Sequence, residues 1–180
     1  MAYDCIVAIA TSTAGKAGVN IIRLSGDNAL NIAFEVFESK SVNITNIQPN
    51  MMNLGKIKAK NFSEQAFCVY YKMPKSYTGE DVVEFHCHGG IGIANAVFRL
   101  LTEKGARPAE AGEFTKRAFL NGKISLAQAE GINDMINAES EAQLMQAYRQ
   151  LSGEVSKTFY RIEEKLLSVA AALEVKLDYP

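Results

Sequence analysis

Three groups of residues in this sequence have the types and spacing to do chemistry. The first is Glu80-Asp-Val-Val-Glu-Phe-His-Cys-His88. Read as a strand, it places Glu80, Val82, Glu84, His86 and His88 on one face and Asp81, Val83, Phe85 and Cys87 on the other. The first face is a row of ionisable groups leading to Gly89-Gly90 and the start of a helix, and a helix N-terminus attracts anions. It reads either as a solvated sheet face or as a working one. Glu84, His86 and His88 together have the chemistry of a metal chelate, but the chain holds no further His and no HExxH pattern. Cys87 falls on the apolar face, where a thiol is packing rather than a nucleophile.

The second group centres on Arg23. It shares a strand face with Val19 and Ile21, where a guanidinium must pair with a carboxylate, sit at the strand end or meet a ligand. The third is Lys123, just after the helix stop Asn121-Gly122, which alone reads as an ordinary surface lysine. Thr13-Ala-Gly-Lys-Ala17 fails as a phosphate loop, because Ala10 and Ala17 stand where Gly and Ser or Thr are required. Gly55-Lys56 and Gly122-Lys123 are each followed by Ile, so no nucleotide site of that class is visible.

Two styles of sequence must position these groups, and they meet near residue 110. Before it, strands are expected at Cys5–Thr11, Val19–Leu24, Asn53–Ala59, Gln65–Lys72 and Glu80–His88, with loops at Thr11–Gly18 and Ser39–Asn50. Ser25-Gly-Asp27 reads as the turn and N-cap of a helix that buries Ala29, Ile32, Ala33, Val36 and Phe37. A second helix carries Ile93, Ala96, Val97, Leu100 and Leu101 and closes at Gly105. After residue 110 the chain reads as helical: Glu113–Leu120, then a capping box at Ser125-Leu-Ala-Gln128 opening a helix to about Ala138, then helix formers to Leu177 weakened only at Gly153. Val155, Phe159, Ile162, Leu166, Val169, Leu173 and Leu177 form an apolar stripe that needs a covering helix.

The chain has 180 residues, 48% apolar and 22% charged, with 19 basic and 20 acidic side chains and a net charge of -1. That is a soluble globular composition with no overall pull toward nucleic acid. Cys5, Cys68 and Cys87 are scattered and odd in number, which points to a reducing, cytoplasmic compartment. Neither a signal peptide nor a run of 18 apolar residues is expected.

The stretch Arg107-Pro-Ala-Glu-Ala-Gly-Glu-Phe-Thr-Lys-Arg-Ala-Phe-Leu-Asn-Gly-Lys-Ile-Ser-Leu-Ala-Gln-Ala-Glu130 closely resembles the amino-terminal region of the MnmE (TrmE) tRNA-modification GTPases. Ser76-Tyr-Thr-Gly-Glu-Asp-Val-Val-Glu-Phe-His-Cys-His-Gly-Gly90 supports the same resemblance, which runs from about Ile6 to Pro180. The resemblance implies an α+β fold. A small β-rich tetrahydrofolate-binding and dimerisation domain, similar to the glycine-cleavage T-protein module, would occupy 1–118, and the first part of a helical domain 119–180. It implies a homodimer that binds 5-formyl-tetrahydrofolate or a related reduced folate near the dimer interface. Matched motif by motif, the folate contacts fall on Arg23, Glu80 and Lys123.

The family resemblance further implies that the one-carbon unit reaches C5 of the wobble uridine in tRNA, with the flavoprotein MnmG as partner. The inserted GTPase domain, with its GTP, Mg and K sites, and a carboxy-terminal part would lie outside this chain. No catalytic residue or metal site is expected within it, and it should hydrolyse no GTP alone. The alternative is a dimerisation scaffold whose folate pocket has lapsed.

Overall fold

A computed structural model describes residues 4–11, 17–59 and 61–178, with backbone alone at 154–156. The Thr13–Lys16 part of the rejected phosphate loop and the side chain of Val155 lie outside the described residues. The chain divides into two compact units, residues 1–123 and 124–180.

The first unit is built on a seven-stranded sheet. Its strands are β1 (Ile6–Ile9), β2 (Val19–Ser25), β3 (Phe37–Glu38), β4 (Met52–Lys58), β5 (Ser63–Tyr71), β6 (Val82–His88) and β7 (Arg107–Pro108), in the order β3-β4-β5-β6-β2-β1-β7. All neighbours run antiparallel except β1 and β7. The helices of this unit are α1 (Ala29–Val36), α2 (Ile91–Glu103) and α3 (Glu113–Leu120).

Strand alternation sorts the side chains. Ile22 and Leu24 of β2, Ala66, Cys68 and Tyr70 of β5, and Val83, Phe85 and Cys87 of β6 join one buried cluster with Ala29, Ile32, Ala33 and Val36 of α1 and Val97 and Leu101 of α2. Burial there pushes the Cys68 and Cys87 thiols up to about 12, so neither ionises near neutral pH. The opposite face carries Ile21, Arg23, Phe67, Tyr71, Glu84 and His86, aligned by the registers Ile21↔His86, Arg23↔Glu84 and Phe67↔His86.

Three boundaries depart from the sequence reading. Helix α1 opens at Asn28, in a left-handed conformation (φ 64°) with no side-chain cap; the Asn28 Oδ1 accepts from Asn31 Nδ2 at 3.0 Å, and the Ser25 hydroxyl is engaged by Thr78 and Glu80. Phe37 leaves that helix for β3, although its ring still lies in the core. Strand β6 begins at Val82, so Glu80 belongs to the loop before it and strand parity does not govern its direction.

The second unit is helical: α4 (Leu126–Ile136), α5 (Glu141–Leu151) and α6 (Glu154–Asp178). The Ser125 hydroxyl accepts from Gln128 N–H, and the Gln128 side chain accepts from Ser125 N–H, completing the expected capping box. Gly153 takes φ 80°, a left-handed value that ends α5 rather than merely weakening one long helix. Helices α4 and α5 pack closely, and a Cβ on Gly131 would come within 3.0 Å of Gln150 Cβ. Along α6, Phe159, Ile162, Leu166, Val169, Leu173 and Leu177 are all at least half exposed. Among the described residues no helix is long and apolar enough to cross a membrane.

Such a stripe favours self-association. Truncation after Gly153, which spares the α4–α5 pair, should therefore lower the aggregate fraction in size-exclusion chromatography with light scattering. An equal or larger aggregate fraction would show that the stripe is not the cause.

Candidate functional site

The loop between β5 and β6, residues 73–80, is where the three expected site residues gather. It starts at the cis Met73–Pro74 peptide and is held at both ends. Tyr70 Oη and Met73 N–H both donate to Asp81 Oδ1 at 2.9 Å, which fixes the loop against the strands it joins. From the other side, the segment after α3 closes on it. Asn121 Nδ2 donates to Thr78 O at 2.8 Å, and Lys123 Nζ donates to Pro74 O at 2.8 Å. Gly79 takes φ 82°, and a Cβ there would lie 3.2 Å from Asn121 Cβ and 3.3 Å from Lys123 Cγ, so glycine suits both the turn and the close approach.

Glu80 ends this loop with its side chain only 8% exposed. Its Oε2 accepts from Ser25 Oγ at 2.7 Å and from Arg117 Nη1 at 3.2 Å, while Oε1 has only a 3.4 Å contact with the same Nη1. A carboxylate oxygen accepts about two hydrogen bonds, so Oε1 keeps capacity for another donor. Arg23 stands two residues before Ser25 on the same strand face, so its Cα lies about 7 Å from that of Glu80's partner. Its Nε donates to Glu84 Oε1 at 2.7 Å, and its guanidinium carbon sits 5.6 Å from the Tyr77 ring centroid and 5.7 Å from that of Phe114. The carboxylate pairing open from sequence is thus present.

Arg23, Glu80 and Lys123 therefore border one loop: Arg23 against Tyr77, Glu80 at its end, Lys123 at its beginning. Among the described residues no hydrogen bond or ion pair links any two of the three directly. The metal reading of the sheet face finds no support in the geometry. Glu84 is taken by Arg23, His88 turns to Glu64 (Nδ1 to Oε1, 2.7 Å), and no metal-ligating group of three is found among the described residues.

Behind the loop lies a network that sequence reasoning missed. Arg117, 4% exposed, donates from Nη2 to Asp4 Oδ1 (2.6 Å) and Glu113 Oε1 (3.1 Å), and from Nη1 to Glu80 and the Asp4 carbonyl. Arg107 adds bonds to Asp4 Oδ2 and to both Glu113 oxygens. The hydrogen bond from Arg107, strengthened by those from Glu110 N–H and Arg117, overcomes burial and holds the Glu113 carboxyl down at about 2. Asp4 is also lowered, chiefly by Arg107. Burial opposes the Arg117 charge, but Glu113, Asp4 and Glu80 outweigh it and raise its pKa. The signal available in sequence was Glu113 and Arg117 four residues apart on one helix beside Ala118, a charged pair on a face that must pack.

Residues 5–123 match the family model "GTP-binding protein TrmE N-terminus", and residues 126–180 match "MnmE helical domain". The chain belongs to the MnmE family. It is 40% identical over 181 residues to the tRNA modification GTPase MnmE of Lactiplantibacillus plantarum, covering 99% of this chain and 38% of that protein. The corresponding protein of Alkaliphilus metalliredigens is 43% identical, covering 98% and 39%, and that of Carboxydothermus hydrogenoformans 42%, covering 100% and 40%. The chain thus spans about two fifths of the length of these relatives. The two matched segments meet between residues 123 and 126, beside the division between the two compact units.

Because Glu113 and Asp4 have lowered folded-state pKa values, the folded protein binds fewer protons than the unfolded chain in acid. The stability they contribute is complete above the ordinary carboxylate range and is lost as pH falls from about 4.5 toward 2. Urea unfolding across that range should show the loss. Arg117→Met strands buried carboxylates and should cost about 3–5 kcal/mol at neutral pH. A loss below about 1 kcal/mol would contradict the buried network.

Proposed function

We propose that this chain is the reduced-folate-binding and dimerisation region of a cytoplasmic tRNA modification GTPase, with the loop at 73–80 as the folate contact. The observation that supports it is the gathering of Arg23, Glu80 and Lys123, far apart in sequence, around that one loop. The residues fit such a ligand. Oε1 of Glu80 retains acceptor capacity for an N–H of the pterin amidine edge, Arg23 offers a cationic fork, and Lys123 keeps two N–H donors beyond the one given to Pro74. The folate, when bound, supplies a one-carbon unit. This chain's part is to bind and orient it: Arg117 and Ser25 hold the Glu80 carboxylate, and Tyr77 and Phe114 provide apolar surface.

The homodimer has support in the sheet face away from the helices. Val19, Met52, Leu54 and Phe67 are 40–56% exposed there, beside a concavity of about 430 Å³ that also involves His86 and His88. That is more apolar surface than scattered single residues explain, and a second copy would cover it. On this reading GTP hydrolysis and its Mg and K ions belong to the inserted GTPase domain, and the whole protein works with MnmG to modify C5 of the wobble uridine.

One observation favours the second reading, a scaffold that binds no folate: Glu80 is almost fully enclosed and already accepts from two partners. Calorimetry with 5-formyl-tetrahydrofolate separates the two. The folate reading expects saturable binding that Arg23→Ala and Glu80→Gln each weaken by about tenfold or more, the loss of one charge-assisted contact. No heat at millimolar ligand would favour the scaffold, and parent-like binding by both variants would remove the loop as the site. Light scattering should report a dimer at micromolar concentration.

A further inference from the structure

The Arg23 guanidinium is held with unusual completeness on one side and left open on the other. Its Nε is bonded to Glu84 Oε1 at 2.7 Å. Glu84 is itself buried, and its second oxygen takes contacts from Tyr71 Oη at 3.5 Å and His86 Nε2 at 3.4 Å. The rings of Tyr77 and Phe114 both lie within 6 Å of the guanidinium carbon, a distance at which the ring quadrupole attracts a cation. Tyr77 is tied in turn to α3 through its hydroxyl, 2.9 Å from Thr115 Oγ1. Yet Arg23 is 28% exposed, and among the described residues neither of its terminal amines makes a hydrogen bond. A guanidinium has five N–H donors, so four remain, on the two nitrogens whose spacing matches the two oxygens of a carboxylate.

We infer that Glu84 is a positioning residue for Arg23, fixing the guanidinium so that its terminal amines take a carboxylate of the ligand. This rests on the folate reading and deepens it: the group recognised is the glutamyl tail. Lys123, whose amine already donates to Pro74 O, closes the loop and keeps its two other N–H donors for another polar group of the ligand. The sign of the Glu84 effect is diagnostic. Its negative charge repels an incoming anion, so if charge alone mattered, removing it would tighten binding. If holding matters, removing it loosens binding, because the freed side chain must be ordered again each time the ligand arrives.

The test measures dissociation constants for two ligands on each variant, 5-formyl-tetrahydrofolate and a 5-formyl-tetrahydropterin lacking the glutamyl tail, and takes their ratio. Using the ratio removes any general loss of folding, since both ligands see the same protein. The parent should favour the tail-bearing ligand. Glu84→Ala should reduce that preference about tenfold, as should Arg23→Lys, which keeps the charge but loses the fork. Glu84→Gln, which keeps an oxygen able to accept from Nε without the charge, should restore most of it. The inference is overturned if the parent binds both ligands alike, if Glu84→Ala matches or exceeds the parent's preference, or if Gln rescues no better than Ala. A parent that binds neither ligand overturns the folate reading, and this inference with it.

Discussion

The first unit depends on one buried guanidinium. Arg117 is almost entirely removed from water, and a charge so placed is tolerable only when its donors are satisfied by opposite charge. Its carboxylate partners come from three places: Asp4 just before β1, Glu80 at the end of the β5–β6 loop, and Glu113 one turn earlier on α3. Movement of any one leaves the buried Arg117 charge with fewer acceptors. Arg107, on edge strand β7, repeats the arrangement by bridging Asp4 and Glu113. Four segments are thereby tied together by charge, and the Glu80 carboxylate is set in one place before any ligand arrives.

The two sheet faces divide the labour accordingly. One is apolar, covered by α1 and α2, and supplies the burial that drives folding. The other keeps its ionisable groups together, Glu84 meeting both Arg23 and His86. Pairing is what lets charged side chains occupy a half-covered sheet without heavy desolvation cost. It also leaves Arg23 held but not saturated, which distinguishes a residue suited to meet a ligand from one whose task is complete within the fold.

Much of this was legible in the residues. Alternation in Val83, Phe85 and Cys87 identified the covered face of β6, and the Ser125–Gln128 capping box marked the start of α4, because both signals are local. Arg23 was legible as a problem, a cation among Val19 and Ile21, though not its partner Glu84, which lies 61 residues away. Glu80 lies outside the strand that parity assigned it to, because the strand starts two residues later, and its side chain is held by Ser25 and Arg117. Ser25-Gly-Asp27 does form the turn before α1, but the cap position falls on Asn28 and the Ser25 hydroxyl is drawn to Thr78 and Glu80. Arg117 went unrecognised because a buried arginine and a surface one look alike until the carboxylates around it are known. Lys123 was singled out by the family resemblance alone, and the fold lays it against Pro74.

The central claim is that the loop at 73–80, with Arg23, Glu80 and Lys123 around it, receives a reduced folate. The most direct measurement is a crystal structure of this protein grown with 5-formyl-tetrahydrofolate. The account predicts ligand density against that loop, with the pterin edge at Glu80 and a carboxylate on the terminal amines of Arg23. Density in another cleft, with those side chains positioned as they are now and touching nothing, would contradict it.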